Sequence, residues 1–218
     1  MADVVLFDLF GVIACPQPAV AIHRLTEVAG VAAPAFLDAY WRHRAPYDRG
    51  QVSVVEYWHR VATDLGAVFD AAHVEALVAA DVASWEAVDD EMVSLVERVA
   101  ASGVRLGLLS NIPEELAAYY EQHHDRWLRH FELVAFSCRI GLAKPAPEAF
   151  GWCCREFGVT PDRVLFIDDR AENVHAAAYL GMHTHQFAGT AGAARAIESQ
   201  MDQLRSRSVG RSSLPPGT

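Results

Sequence analysis

Four short runs, each closing on a sharp change of polarity, constrain this chain most. They are Val4-Val5-Leu6-Phe7, then Val104-Arg105-Leu106-Gly107-Leu108-Leu109, Leu133-Val134-Ala135-Phe136 and Val164-Leu165-Phe166-Ile167. Runs this short, near-continuously apolar and set between helical patterns, read as strands covered on both faces, as in a parallel sheet. The segments between the later runs have helical signatures. One starts at Asp90 and stops at Gly103, one follows Pro113, one runs from Pro147 to Phe157 and stops at Gly158, and one runs from Ala171 to Leu180 and stops at Gly181. Pro near a helix start and Gly just past its end follow from the backbone groups left unpaired there. The alternation predicts an α/β fold: a doubly wound parallel sheet with helices on both faces.

Residues 16–87 break that rhythm. Leu25 and Val28 recur at helix spacing, Ser53-Val54-Val55-Glu56 is a capping box, and Asp70 is placed to cap a further helix. No alternating strand pattern interrupts them. The expectation is a helical cap, 16–87, inserted into a Rossmann-like core made of 1–15 and 88–190. A C-terminal helix is expected over 191–204 and a disordered tail over 205–218, which is rich in Ser, Arg, Pro and Gly.

The formal charge of −10, from 28 acids against 18 bases, disfavours nucleic acid and anionic membrane surfaces as partners. The apolar fraction of 52% supports a folded core. No run of 18 apolar residues predicts a membrane span, and the N-terminus lacks a signal-peptide pattern. Cys15, Cys138, Cys153 and Cys154 form no C-x-x-C pair, which fits free thiols in a reducing, cytoplasmic setting. A monomer or homodimer is expected.

Ligands of open parallel sheets bind beyond the carboxyl ends of the strands. The residues there are Asp8, Ser110, Asn111, Asp168 and Asp169, with Lys144 on the loop Gly141-Leu142-Ala143-Lys144-Pro145. Each alone has a plain alternative, as a helix cap or a solvated loop residue. Together, at separate strand ends, they are hard to attribute to coincidence.

With these residues in place the sequence resembles the haloacid dehalogenase-like hydrolase superfamily over nearly its whole length, in its helical-cap (C1) branch. Phe7-Asp8-Leu9-Phe10-Gly11-Val12, Leu109-Ser110-Asn111, Gly141 to Pro147 and Phe166 to Val174 resemble its four motifs, and the insert resembles its cap. The resemblance implies that Asp8 is a nucleophile and that Ser110 and Asn111 bind the transferring group. Lys144 would pair with Asp8 and with the charge that develops. Asp8, Asp168, Asp169 and the backbone carbonyl of Phe10 would hold Mg²⁺, with Asn173 behind them.

Two chemistries stay open. Phosphatases of the family carry a second Asp two residues after the nucleophile, where this chain has Phe10; an aromatic residue there resembles the dehalogenases. Those dehalogenases lack the acidic pair retained here as Asp168-Asp169. Three carboxylates and one lysine sum to −2, and like charges about 4 Å apart repel by about 4 kcal/mol at an effective dielectric of 20. A dication cancels that sum and clamps a phosphoryl oxygen, so the pair favours a Mg²⁺-dependent phosphatase acting on a small-molecule phosphate ester through an aspartyl-phosphate. The first motif, Asp8-Leu9-Phe10-Gly11-Val12 with no second Asp, also resembles that of a branch with Asp-x-Gly-Asn-Val or Asp-x-Gly-Gly-Val, which includes sugar 1-phosphate phosphatase-like members. A 2-haloacid dehalogenase, or a degenerate member that binds without turnover, are the alternatives.

Outside this group, His183/His185 and His123-His124 read as structural or surface residues, and Cys153-Cys154 as core. Arg42, Arg44, Tyr47 and Arg49 read as a solvated basic loop between cap helices, with some reach toward a substrate anion.

Overall fold

Strand β1 (Val4–Phe7) is buried at all four residues and lies at the middle of the sheet. Strand β2 (Arg105–Ser110) flanks it on one side and β4 (Val164–Asp168) on the other; β3 (Leu133–Phe136) and β5 (His183–Gln186) are the edges. All neighbours are parallel, in the order β3-β2-β1-β4-β5. This is the computed structural model of the chain, and it describes residues 4–211.

Side chains alternate across the sheet, as the pleat requires. Val5, Phe7, Leu106, Leu108, Leu165 and Ile167 face α6 (Asp90–Ala101), α7 (Glu114–His123) and α12 (Thr190–Arg211). Val4, Leu6, Leu109 and Phe166 face α10 (Pro147–Phe157) and α11 (Ala171–Tyr179), where Cys153 and Cys154 are buried as free thiols. Short helices α8 (Asp125–Leu128) and α9 (Ser137–Ile140) complete the core. The C-terminal helix continues past residue 204 to Arg211, and residues 212–218 of the expected tail lie outside the described residues. Among the described residues, no single helix is long and apolar enough to cross a membrane.

The insert is five helices: α1 (Ala19–Ala29), α2 (Ala33–Arg42), α3 (Arg44–Asp48), α4 (Val54–Asp64) and α5 (Ala71–Ser84). They enclose a separate apolar cluster centred on Phe36, Tyr40, Tyr57, Trp58 and Leu77. Ser53 and Asp70 cap α4 and α5, accepting from the backbone N–H of Glu56 and His73.

The expected basic loop at residues 42–49 is instead largely helical, and Arg44 is not solvated. Its guanidinium is buried, 2.8 Å from Asp48 and 2.9 Å from Asp81, and it donates to the Tyr40 hydroxyl. Burial alone would lower its pKa, but Asp81, Tyr40 and Asp48 hold it well above the usual arginine value. Such a cation stays inside only when paired, and Asp81 lies 37 residues away in sequence.

Helix α3 also ties the insert to the core. The Tyr47 hydroxyl donates to Glu115 on α7 (2.6 Å), and the Ser137 hydroxyl donates to the Asp48 carbonyl. Gly50 (φ 66°) follows, and a Cβ there would collide with the Cys138 carbonyl.

Candidate active site

The register of the sheet assembles the site. Phe7 lies beside Leu108 and Ile167, so Asp8, just past β1, meets Ser110 and Asp168, the last residues of β2 and β4, at one edge of the sheet. The Asp8 amide donates to the Ile167 carbonyl (2.9 Å), and the Asp8 Oδ1 accepts from the Leu9 amide (2.6 Å). Lys144 arrives from the loop after α9. Asn111 holds that loop by two bonds: its Nδ2 donates to the Lys144 carbonyl (2.8 Å) and its Oδ1 accepts from the Lys144 amide (2.9 Å). The buried Lys144 Nζ then stands 2.6 Å from Asp8 Oδ1 and 2.8 Å from Asp168 Oδ2.

Asp168 is fully buried and heavily bonded. It accepts from the Arg170 amide (2.8 Å) and from Asn173 Nδ2 on both oxygens (3.0 and 2.9 Å). Gly11 lets the third carboxylate approach: its φ is 82°, and a Cβ there would lie 2.5 Å from Asp169 Oδ2.

Asp8, Asp168 and Asp169 each offer an oxygen within 4.8 Å of the others. Burial pushes the Asp8 carboxyl up to about 7; Lys144 opposes the rise and Asp168 adds to it. The Asp169 carboxyl is raised as well, by burial and then by Asp168. In both, burial is the larger cause and the neighbouring Asp168 carboxylate adds to it. Three carboxylates against one ammonium, all-oxygen donors and a partly open third ligand fit a hard dication such as Mg²⁺.

The structure brings Asp8, Lys144, Asp168 and Asp169 together as the sequence suggests, with Asn173 behind Asp168. Ser110 and Asn111 differ from one another. The Ser110 Oγ is buried without a hydrogen-bond partner, as a group awaiting one would be. The Asn111 amide is already engaged with the lysine loop. Phe10 is half-buried against Trp85 (ring centroids 4.8 Å) and Tyr120 (5.8 Å).

A cavity of about 660 Å³ joins this site to the cap. Asp8, Lys144 and Asp169 lie on its core side; Phe10, Trp41 and Trp85 contribute aromatic surface. Sequence reasoning missed Trp85, which falls between cap and core with no periodic signal. The histidines also separate: His124 is half-buried against the Tyr120 and Trp127 rings rather than solvated.

The family model for haloacid dehalogenase-like hydrolases matches residues 2–181. The chain belongs to this family. This haloacid dehalogenase-like hydrolase is 30% identical over 93 residues to mouse acyl-CoA dehydrogenase family member 10, which amounts to 43% of the chain but 8% of that protein. Mouse bifunctional epoxide hydrolase 2 likewise matches over 13% of its length. The chain thus spans a small fraction of these two longer relatives. The sesquiterpene phosphatase astK of Aspergillus oryzae is 24% identical over 136 residues, covering 62% of this chain and 67% of that protein. D-ribitol-5-phosphate phosphatase of Bacteroides thetaiotaomicron is 40% identical over 50 residues, 23% of the chain and 24% of that protein.

The fold is shared with a HAD family enzyme of B. thetaiotaomicron solved with magnesium, at TM-score 0.72 and 20% identity over 85% of this chain and 93% of that one. It is shared too with the L-2-haloacid dehalogenase of Xanthobacter autotrophicus, at TM-score 0.63 and 16% identity over 84% and 76%.

Proposed function

We propose that this hydrolase is a Mg²⁺-dependent phosphatase acting on a small phosphate ester through an aspartyl-phosphate on Asp8. The observation that carries the reading is the third carboxylate: Asp169 joins Asp8 and Asp168 around a single lysine. A halide-releasing site has no use for that much negative charge; a phosphoryl-transfer site with a dication does. The phosphatases among its relatives and the magnesium-bound structural neighbour agree with it.

The carboxylates of Asp8, Asp168 and Asp169, with the Phe10 carbonyl, would hold the magnesium, which neutralises charge on phosphoryl oxygens when bound. The protein's own groups do the rest. Lys144 favours the ionised form of Asp8 and aims it, and counters charge on the transferring group. Ser110 donates its unused hydroxyl to a phosphoryl oxygen. Asn111 acts mainly by holding the lysine loop, with its second amide hydrogen available to substrate. An Asp8 oxygen attacks phosphorus, the bond to the ester oxygen breaks, and that oxygen leaves with the electron pair. Water then cleaves the acyl phosphate, releasing inorganic phosphate and restoring Asp8.

Phe10 has no proton to give, and a positioned general acid contributes roughly 10²–10⁴-fold. The substrate should therefore carry a leaving group that departs readily unprotonated, a condition that a sugar 1-phosphate and an aryl phosphate both meet.

Purified protein with Mg²⁺ should hydrolyse p-nitrophenyl phosphate, and chelation or Asp8→Asn should abolish the activity. The aromatic Phe10 favours the second reading, 2-haloacid dehalogenation. Metal-independent chloride release from 2-chloropropionate, with no phosphatase activity, would establish it instead.

A further inference from the structure

Resting on the phosphatase reading, we infer that the substrate is a monoester of an apolar, aromatic alcohol: an aryl phosphate rather than the phosphate of a polyhydroxylated sugar. Two observations converge on this class.

The first is the leaving-group side of the cavity. Phe10, Trp85 and Trp41 form a run of rings along its wall, with centroids 4.8 Å apart for Phe10–Trp85 and 6.3 Å for Trp41–Trp85, the latter edge to face at 86°. Trp41 is 50% exposed, an unusual state for a tryptophan, and its exposed surface lines this cavity. Several polar groups on or behind this wall are already engaged with one another. Arg44 is held by Asp48 and Asp81, the Tyr40 hydroxyl donates to Asp81 (2.6 Å), and the Trp85 indole donates to Tyr40 (3.3 Å). Farther out, Arg170 pairs with Glu172 (2.5 Å), and Arg49 adds a cation to the lining. A sugar would have to bury hydroxyls against an aromatic face whose neighbouring cap groups, Arg44, Tyr40 and Trp85, are paired with one another, which is costly. A flat apolar ring meets offset and edge-to-face partners.

The second is the missing acid. A phenolic oxygen, with a pKa near 10 for the unperturbed tyrosine side chain, leaves as the anion far more easily than a simple alkoxide. The step balances without a proton from the protein: Asp8 Oδ bonds to phosphorus, the P–O(aryl) bond breaks, and the phenolate takes its proton from solvent. Phe10 thus belongs to the apolar wall and also sets the kind of bond that can be broken beside it.

The test compares 1-naphthyl phosphate, glucose 1-phosphate and acetyl phosphate with Mg²⁺. The last has a good but small and polar leaving group. We expect kcat/KM for the naphthyl ester to exceed that for glucose 1-phosphate at least about tenfold, and Trp41→Ala to cut the naphthyl-to-acetyl ratio about tenfold, the scale of one or two aromatic contacts. Trp41→Phe should recover most of it, and circular dichroism controls for folding. Binding gives a second readout: by calorimetry, phenylphosphonate should bind more tightly than methylphosphonate, and Trp41→Ala should narrow the gap. Acetyl phosphate turnover with no naphthyl preference, or a ratio unmoved by Trp41→Ala, would overturn the inference while leaving the phosphatase reading standing. No Mg²⁺-dependent turnover of any of the three would overturn both.

Discussion

The two sides of the cavity bury charge in different ways. On the core side, Lys144 is shared between Asp8 and Asp168 with Asp169 beside them, so negative charge exceeds positive. On the cap side, Arg44 faces Asp48 and Asp81 within a closed set of bonds that includes the Tyr40 hydroxyl. Both clusters hold one base among acids. The cap cluster has Tyr40 and the Trp85 indole as extra donors, and its members bond to one another even where Arg44 and Asp48 reach the cavity wall. The core cluster opens onto the cavity and leaves Ser110 Oγ unpartnered. The lesson is that a charged cluster with unmet bonds at an open strand end points to function, while one whose members bond among themselves under a helix points to architecture.

Substitutions break this contrast at either end. Asp8→Asn has the largest effect: it removes the attacking oxygen and should cost about 10³-fold or more in kcat, as loss of a nucleophile does, while circular dichroism stays unchanged. On the cap side, Asp81→Ala leaves Arg44 with half its counter-charge and should destabilise the protein by about 3–5 kcal/mol, the scale for orphaning one member of a buried pair, read as a lowered urea midpoint. The same substitution should weaken turnover only as far as the cap loosens.

A smaller change probes the fit at the metal. Gly11→Ala forces a side chain onto Asp169 at a left-handed backbone position, a conformation that costs a non-glycine residue about 1–2 kcal/mol. It should raise the Mg²⁺ concentration needed for half-maximal rate more than it alters the folded state, measured by metal titration of activity alongside thermal melts.

The smallest effect lies away from both clusters. Burial lowers the pKa of His124, and the Trp127 indole donates to its Nδ1 (3.3 Å), which requires the neutral ring. A base whose folded pKa is depressed contributes stability above its unfolded value near 6.5, and that contribution is lost as pH falls through the folded value. Melting temperatures measured from pH 8 to 5 should decline, and His124→Phe should flatten part of that slope.

The strands, their helices and the four charged residues of the core site were legible because each is local. An apolar run ends, and the polar residue beside its last member is delivered to the sheet's carboxyl edge by the register alone. Partners distant in sequence were not legible. Nothing near Arg44 in the chain announces Asp81, so it read as a solvated loop arginine; its burial follows from its ion pair with Asp81 on α5, while the helix around it packs against α2, α4 and α9. Asn111 read as a substrate ligand because its place at a strand end is visible, whereas its grip on the Lys144 backbone depends on where a loop 33 residues later comes to rest. Trp85 carries no periodic signal and gains its meaning only when Phe10 and Trp41 are seen across the same cavity.

The direct measurement is calorimetric titration of Mg²⁺ into chelator-treated protein. The wild type should bind one ion, with affinity rising when inorganic phosphate is present, and Asp168→Asn should abolish binding while remaining folded. A wild-type protein that takes up no magnesium, with or without phosphate, would contradict the claim that the three carboxylates are gathered around a dication.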